Sequence, residues 1–136
     1  MSTTATGSSG VGSYLITPAL GSLAAQNYAF EFTEGWMKVN KATLTVTANN
    51  LAMQAGGTVP ALTYSMSGWV NGDTQAAATT GAPALSTSAT AASTAGSYTI
   101  AVGQGSLKAA NYQFTFVKGA LIVSQSSASL VRKLIR

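Results

Sequence analysis

Apolar and polar residues alternate along most of this chain, and the alternation is clearest near its end. Tyr98, Ile100 and Val102 stand between Ser97, Thr99 and Ala101, the period of two that marks a strand with one buried face. Tyr112, Phe114 and Phe116 then alternate with Gln113 and Thr115, and Lys118-Gly119 leads into a second apolar run, Leu121 to Val123. An x-Gly pair between two strand-like runs predicts a β-hairpin, with glycine supplying positive φ at low steric cost. The stretch Gly105–Asn111 is too short for a stable helix and predicts a turn with Leu107 tucked inward. Further upstream, Leu44 and Val46 sit among Thr43, Thr45 and Thr47, a strand rich in β-branched residues. Asn49-Asn50 and Gly56-Gly57 are turn material around Leu51 and Met53; after Pro60, Leu62, Tyr64 and Met66 form another alternating run that ends in the turn Gly68–Asp73. From Thr74 to Ala95 the residues are nearly all Ala, Thr and Ser, which predicts one or two short strands.

The same pattern occurs twice. Gly12–Val39 and Gly96–Val123, 84 residues apart, align without gaps and share 14 of 28 residues, among them Gly12/Gly96, Tyr14/Tyr98, Leu23/Leu107, Asn27/Asn111, Tyr28/Tyr112, Phe30/Phe114, Phe32/Phe116 and Gly35/Gly119. The likeness reaches back to Ser2–Ser9 over Ser86–Ser93 and ends after Val39/Val123. Residues 1–41 therefore read as the C-terminal half of a preceding repeat, 42–124 as a complete repeat and 125–136 as a separate basic tail. On this reading the chain opens in mid-repeat at Met1, and any export signal is expected upstream. Residues 1–11 read either as an edge strand or as a flexible lead-in. About six strands per repeat, with turns between them and no helical period, predict an all-β domain: a small antiparallel sandwich, Ig-like, with a β-grasp-like arrangement as the alternative.

Composition narrows what such a repeat does. Charged residues are 7% of the chain against a typical ~25%, so Ser, Thr, Asn, Gln and Gly carry the polar surface. The net charge of +4 comes largely from Arg132, Lys133 and Arg136 in the tail. The body is nearly neutral, and scattered Lys38, Lys41, Lys108 and Lys118 do not make a nucleic-acid surface. No apolar run approaches the ~20 residues of a membrane span. The chain has no Cys and no His, and its only acids are Glu31, Glu34 and Asp73. Glu31 and Glu34 align with Thr115 and Lys118, so the repeat does not require them. Paired-carboxylate or triad chemistry needs positioned acids or a base in one cleft, and the expectation is a protein that is not an enzyme and holds no cofactor. Asn71 with Asp73 offers oxygens either to a plain turn or to calcium, whose sites want six to eight ligands.

Candidate contact residues are few. The shared Tyr and Phe positions read as core, with a sugar-stacking face as the alternative. Trp36, which replaces Ala120 on the face opposite Met37 and Val39, is a candidate exposed anchor, and Trp69 a second. In the tail, Leu130, Val131, Leu134 and Ile135 fall on a helical stripe opposite Arg132, Lys133 and Arg136. That tail reads as a frayed cationic end or as a short amphipathic helix docking on the domain or a partner.

The turn Val70-Asn71-Gly72-Asp73-Thr74, the Gly96-Ser97-Tyr98 strand start, Asn111-Tyr112 and the closing Lys118-Gly119-Ala120-Leu121-Ile122-Val123 resemble the MBG-type repeats of bacterial surface and secreted adhesins, including exoproteins similar to filamentous haemagglutinin. The resemblance covers the complete repeat and the partial copy. Ala55-Gly56 stands where the family often has Tyr-Gly before the proline of the second strand. The resemblance implies an extracellular or cell-surface β domain strung in tandem, whose partners are neighbouring repeats or other copies of itself. It carries over no catalytic residue and no ligand site. Three functions follow as expectations: a structural stalk module, a self-assembling fibre subunit joined through the half-repeat, and a glycan- or protein-binding module.

Overall fold

A computed structural model describes residues 1–125; residues 126–136 of the basic tail, with Arg132, Lys133 and Arg136, lie outside the described residues. Alternation is realised as strand almost throughout. In the complete repeat these are β4 (Ala42–Ala48), β5 (Leu51–Gln54), β6 (Tyr64–Ser67), β7 (Ala84–Thr87), β8 (Gly96–Gly103), β9 (Tyr112–Val117) and β10 (Gly119–Ser124). They form two sheets, β6-β4-β9 and β5-β10-β8-β7. Leu44, Val46 and Ala48 of β4 are buried, and Ala48 joins Met53, Ala89, Ile100, Leu121 and Val123 in one apolar cluster between the sheets. Their burial, at roughly 1.5–3 kcal/mol for each large aliphatic side chain, is the main force holding the two layers.

The all-β sandwich of the sequence reading is what forms, but its sheets are mixed rather than purely antiparallel. β4 runs parallel to β9 from Ala42↔Tyr112 to Thr47↔Val117, and β5 runs parallel to β10 from Leu51↔Leu121 to Ser124↔Gln54. In both ladders the partners are 70 residues apart, as they are in the side-chain bonds Gln113 to Thr43 and Ala120 to Asn50. The two pairings are thus one parallel ladder that passes from one sheet to the other at Asn49-Asn50 and Lys118-Gly119. Asn49 secures the corner by bonding Thr63 through backbone and side chain, and Asn50 Oδ1 accepts the Ala120 amide at 2.9 Å.

The expected hairpin of residues 112–123 does not form. β9 and β10 belong to different sheets, and a single residue, Lys118, separates them. Gly119 is required there for close approach rather than for a turn: a Cβ would lie 2.5 Å from the carbonyl oxygen of Ala48 and 2.9 Å from that of Asn49. A tight β-turn would have satisfied the two strands against each other, but each has a better backbone partner in β4–β5. The Ala-rich stretch holds one strand, β7, and also a helical turn, α1 (Gln75–Ala78), that the sequence reading did not anticipate. Gln75-Ala76-Ala77-Ala78 is too brief to show a period, and Thr79 closes it by donating its hydroxyl to the Gln75 carbonyl at 2.7 Å.

Residues 1–41 form a three-stranded sheet of their own, β1 (Ser2–Thr3), β2 (Gly12–Thr17) and β3 (Gly35–Val39), in the order β1-β2-β3. Its pairings copy the complete repeat residue for residue. Gly12 faces Val39 as Gly96 faces Val123, and Ile16 faces Gly35 as Ile100 faces Gly119. Ser2 faces Thr17 as Ser86 faces Ala101, so the edge-strand reading of the N-terminus is the one that forms, though over two residues. Between β2 and β3 the chain is irregular, and every residue from 20 to 34 is exposed. The segment 28–33 has the residue pattern of β9 but no strand beside it among the described residues, and without a ladder its β propensity does not hold it extended.

Candidate interaction surface

Two places in the described residues gather side chains beyond what packing demands: the seam between the half-repeat and the complete repeat, and the bare face of the half-repeat itself. At the seam, the turn that follows β6 has positive φ at both central residues, Asn71 (55°) and Gly72 (74°), and closes with the Asp73 amide donating to the Val70 carbonyl, the signature of a type I′ turn. Tyr112, at the start of β9, reaches into it. Its hydroxyl donates to Asp73 Oδ2 at 2.6 Å and accepts the Val70 amide at 3.1 Å, while Trp69 meets its ring edge-on with centroids 5.7 Å apart. Tyr112 is 1% exposed. Burial and the bond to the Asp73 carboxylate raise the pKa of its phenol above the ordinary 10.0, outweighing the opposite pull of the Val70 backbone bond. Asp73 is therefore engaged in holding a tyrosine to a turn, which is how its pairing with Asn71 resolves.

The next residue back, Asn111, ties the two parts together. Its side-chain oxygen accepts the Val11 amide at 3.0 Å, its backbone oxygen accepts the Ala42 amide at 3.0 Å, and Gly10 lies so close that a Cβ there would sit 3.2 Å from Asn111 Oδ1. Tyr14 braces the same loop by donating to the Gly10 carbonyl at 2.8 Å. A shallow cleft remains at the seam, lined in part by Ser9, Val11, Asn40, Asn71, Asp73 and Tyr112. Asn111 was not singled out as a contact residue from sequence, although its identity with Asn27 was a usable signal.

The second place is apolar. Tyr28, the counterpart of Tyr112, is 81% exposed; Phe30, Phe32 and Met37 are exposed as well, and Leu23 is open to solvent where Leu107 is fully buried. The expected core role of the shared aromatics holds fully at Tyr112; Phe114 and Phe116 are half-buried, with ring centroids 6.3 Å apart, and the expectation fails in the half-repeat. Trp36 is 69% exposed on β3. Trp69 is half-buried against Tyr112. Trp69 has an aromatic partner in Tyr112, whereas Trp36 stands opposite Leu15 on the neighbouring strand. Among the described residues no group of three or more His, Cys, Asp or Glu converges as a metal site would require, and no helix is long and apolar enough to cross a membrane.

Comparison with known proteins gives one match and two blanks. Neither the curated proteins nor the solved structures yield a match to this chain. The family profile described as MBG domain (YGX type) matches residues 44–122, from the first buried leucine of β4 to the penultimate apolar position of β10. That span contains both sheets of the sandwich, the Asn71-Gly72 turn and Gly56, which keeps its positive φ of 81° even though alanine stands before it. The chain belongs to the MBG domain family, YGX type.

Proposed function

We propose that this chain is a non-catalytic structural module of a bacterial extracellular adhesin, a repeat that sets distance and orientation along a stalk. The observation that carries the reading is the residue-for-residue identity of pairing between β1-β2-β3 and β7-β8-β10. One unit is reiterated at a fixed spacing and joined by direct hydrogen bonds at Asn111, which suits a rod built of like parts. The chemistry of the chain supports the non-catalytic part: 136 residues include no His, no Cys and three acids, and the one carboxylate at the seam holds the Tyr112 hydroxyl.

The test has two arms. Tandem arrays of one, two and four copies of residues 42–124, examined by small-angle scattering, are expected to lengthen by a constant increment per copy. A glycan and matrix-protein array is expected to show no binding by the chain itself. Binding that disappears in Trp36→Ala or Trp69→Ala would replace the stalk reading with that of a recognition module.

A further inference from the structure

The half-repeat carries a vacancy of defined shape. In the complete repeat, residues 42–54 lie parallel along residues 112–124, every pair 70 residues apart, and so close over Tyr112, Leu121 and Val123. Residues 28–40 are the first copy of that 112–124 surface. Their β3 strand is already held in the native register by β2, and it forms the edge of its sheet where β10 has β5 at its side. The stripe that β4–β5 would cover, Tyr28, Phe30, Phe32 and Met37, is exposed.

A second observation comes from a glycine. Gly119 is needed because the carbonyls of Ala48 and Asn49 pass within 2.5 and 2.9 Å of where its Cβ would be. Its counterpart Gly35 has only the Ile16 side chain near that point, at 3.8 Å. The half-repeat thus keeps the glycine that admits a crossing strand, and among the described residues none crosses there.

We propose that residues 28–40 are an acceptor for an extended segment with the residue pattern of Ala42–Gln54, entering parallel to the chain and bending at Gly35. The register follows from the second copy. Positions equivalent to Leu44 and Val46 fall opposite Phe30 and Phe32, and positions equivalent to Leu51 and Met53 fall opposite Met37 and Val39. Backbone bonds to the free edge supply affinity, and the alternating Leu, Val, Ala, Leu, Met face supplies specificity.

The occupant is a separate donor segment, not a second intact chain. Among the described residues there are two acceptor halves, 1–41 and 85–124, and one donor, 42–84. A chain that lends its donor to a neighbour empties its own repeat, so exchange between intact copies gains no contacts and loses association entropy. The inference rests on repeat geometry and not on the adhesin setting, so its failure would leave the stalk reading standing.

The experiment adds a synthetic peptide with the sequence of Ala42–Gln54 to the full chain and follows amide hydrogen exchange. Expected is binding at about 1–100 μM, with exchange across 28–40 slowed about tenfold or more and exchange across 112–124 unchanged. Gly35→Val, whose side chain fills the crossing point, is expected to abolish binding and leave the thermal unfolding of the free chain unaltered. A second arm guards against a weak peptide: a copy of residues 42–84 fused ahead of Met1 is expected to bury Tyr28 and add a second complete cooperative unit. Equal binding by a scrambled peptide or by Gly35→Val overturns the proposal. So does a fused copy that leaves 28–40 unprotected, or protection of 28–40 by raising the concentration of the chain alone, which would assign the face to a second copy.

Discussion

Tyr28 and Tyr112 occupy matching positions in matching sequence, yet one is almost wholly in solvent and the other almost wholly out of it. The residues around them are no less alike: Asn precedes each, and the aromatics at Phe30 and Phe32 repeat at Phe114 and Phe116. What differs is the strand beside them, since β9 has β4 along its length and residues 28–33 have no strand partner among the described residues. The pairing that survives in both copies, β2 with β3 and β8 with β10, joins strands brought together within the same half. The pairing that is lost spans 70 residues and depends on the other half. In this fold local sequence writes the antiparallel sheet, and the parallel ladder decides whether its aromatic face becomes core.

Paired substitutions test that contrast directly. The largest difference is expected at the core: Leu121→Ala, at a fully buried site, costs about 2–5 kcal/mol, and Met37→Ala, at its exposed counterpart, costs less than about 1 kcal/mol. Urea unfolding followed by circular dichroism measures both, and equal losses would break the comparison. Next comes the crossing point. Gly119→Ala forces a methyl against the Ala48 carbonyl and is expected to cost about 1–3 kcal/mol, whereas Gly35→Ala is neutral.

Tyr112→Phe removes the bond to Asp73 and is expected to lower the unfolding temperature by a few degrees; Tyr28→Phe changes nothing measurable. The same phenol gives a pH dependence. Because its pKa is higher in the folded state than the ordinary 10.0, the folded chain holds that proton more tightly. The stabilisation is complete below pH 10 and is lost as pH rises through the raised folded value. Alkaline titration of stability should show this loss in the native chain and not in Tyr112→Phe. The smallest effect is expected at the seam, where Asn111→Ala leaves both sheets intact and speeds exchange of the Val11 amide.

Much of this was legible in the residues. Alternation at Leu44 and Val46, at Tyr98 and Ile100, and at Leu121 and Val123 marks strands that form, and the match at 84 residues locates the repeat before any coordinate is known. The parallel pairing was not legible, because a strand that alternates records which face is buried and nothing about the direction of its neighbour. Lys118-Gly119 misled for a related reason: glycine permits positive φ and also permits close approach, and sequence does not say which freedom is in use. The exposed fate of Tyr28, Phe30 and Phe32 was hidden as well, since it depends on a strand that residues 1–41 do not contain. Trp36 was read as exposed from its place opposite Met37 and Val39, and it is; Trp69, within a turn of Gly, Asn and Asp, gave no hint of its contact with Tyr112.

The ladder that bends around the sandwich also fixes how a repeat in a row would carry load. Ala42 enters it opposite Tyr112, and Ser124 leaves it opposite Gln54. Tension applied at the two ends of the repeat would draw them apart along the strand direction. The evenly spaced bonds of a parallel pair then resist in shear, in both sheets together, where an antiparallel hairpin between the same ends would open one bond at a time like a zip.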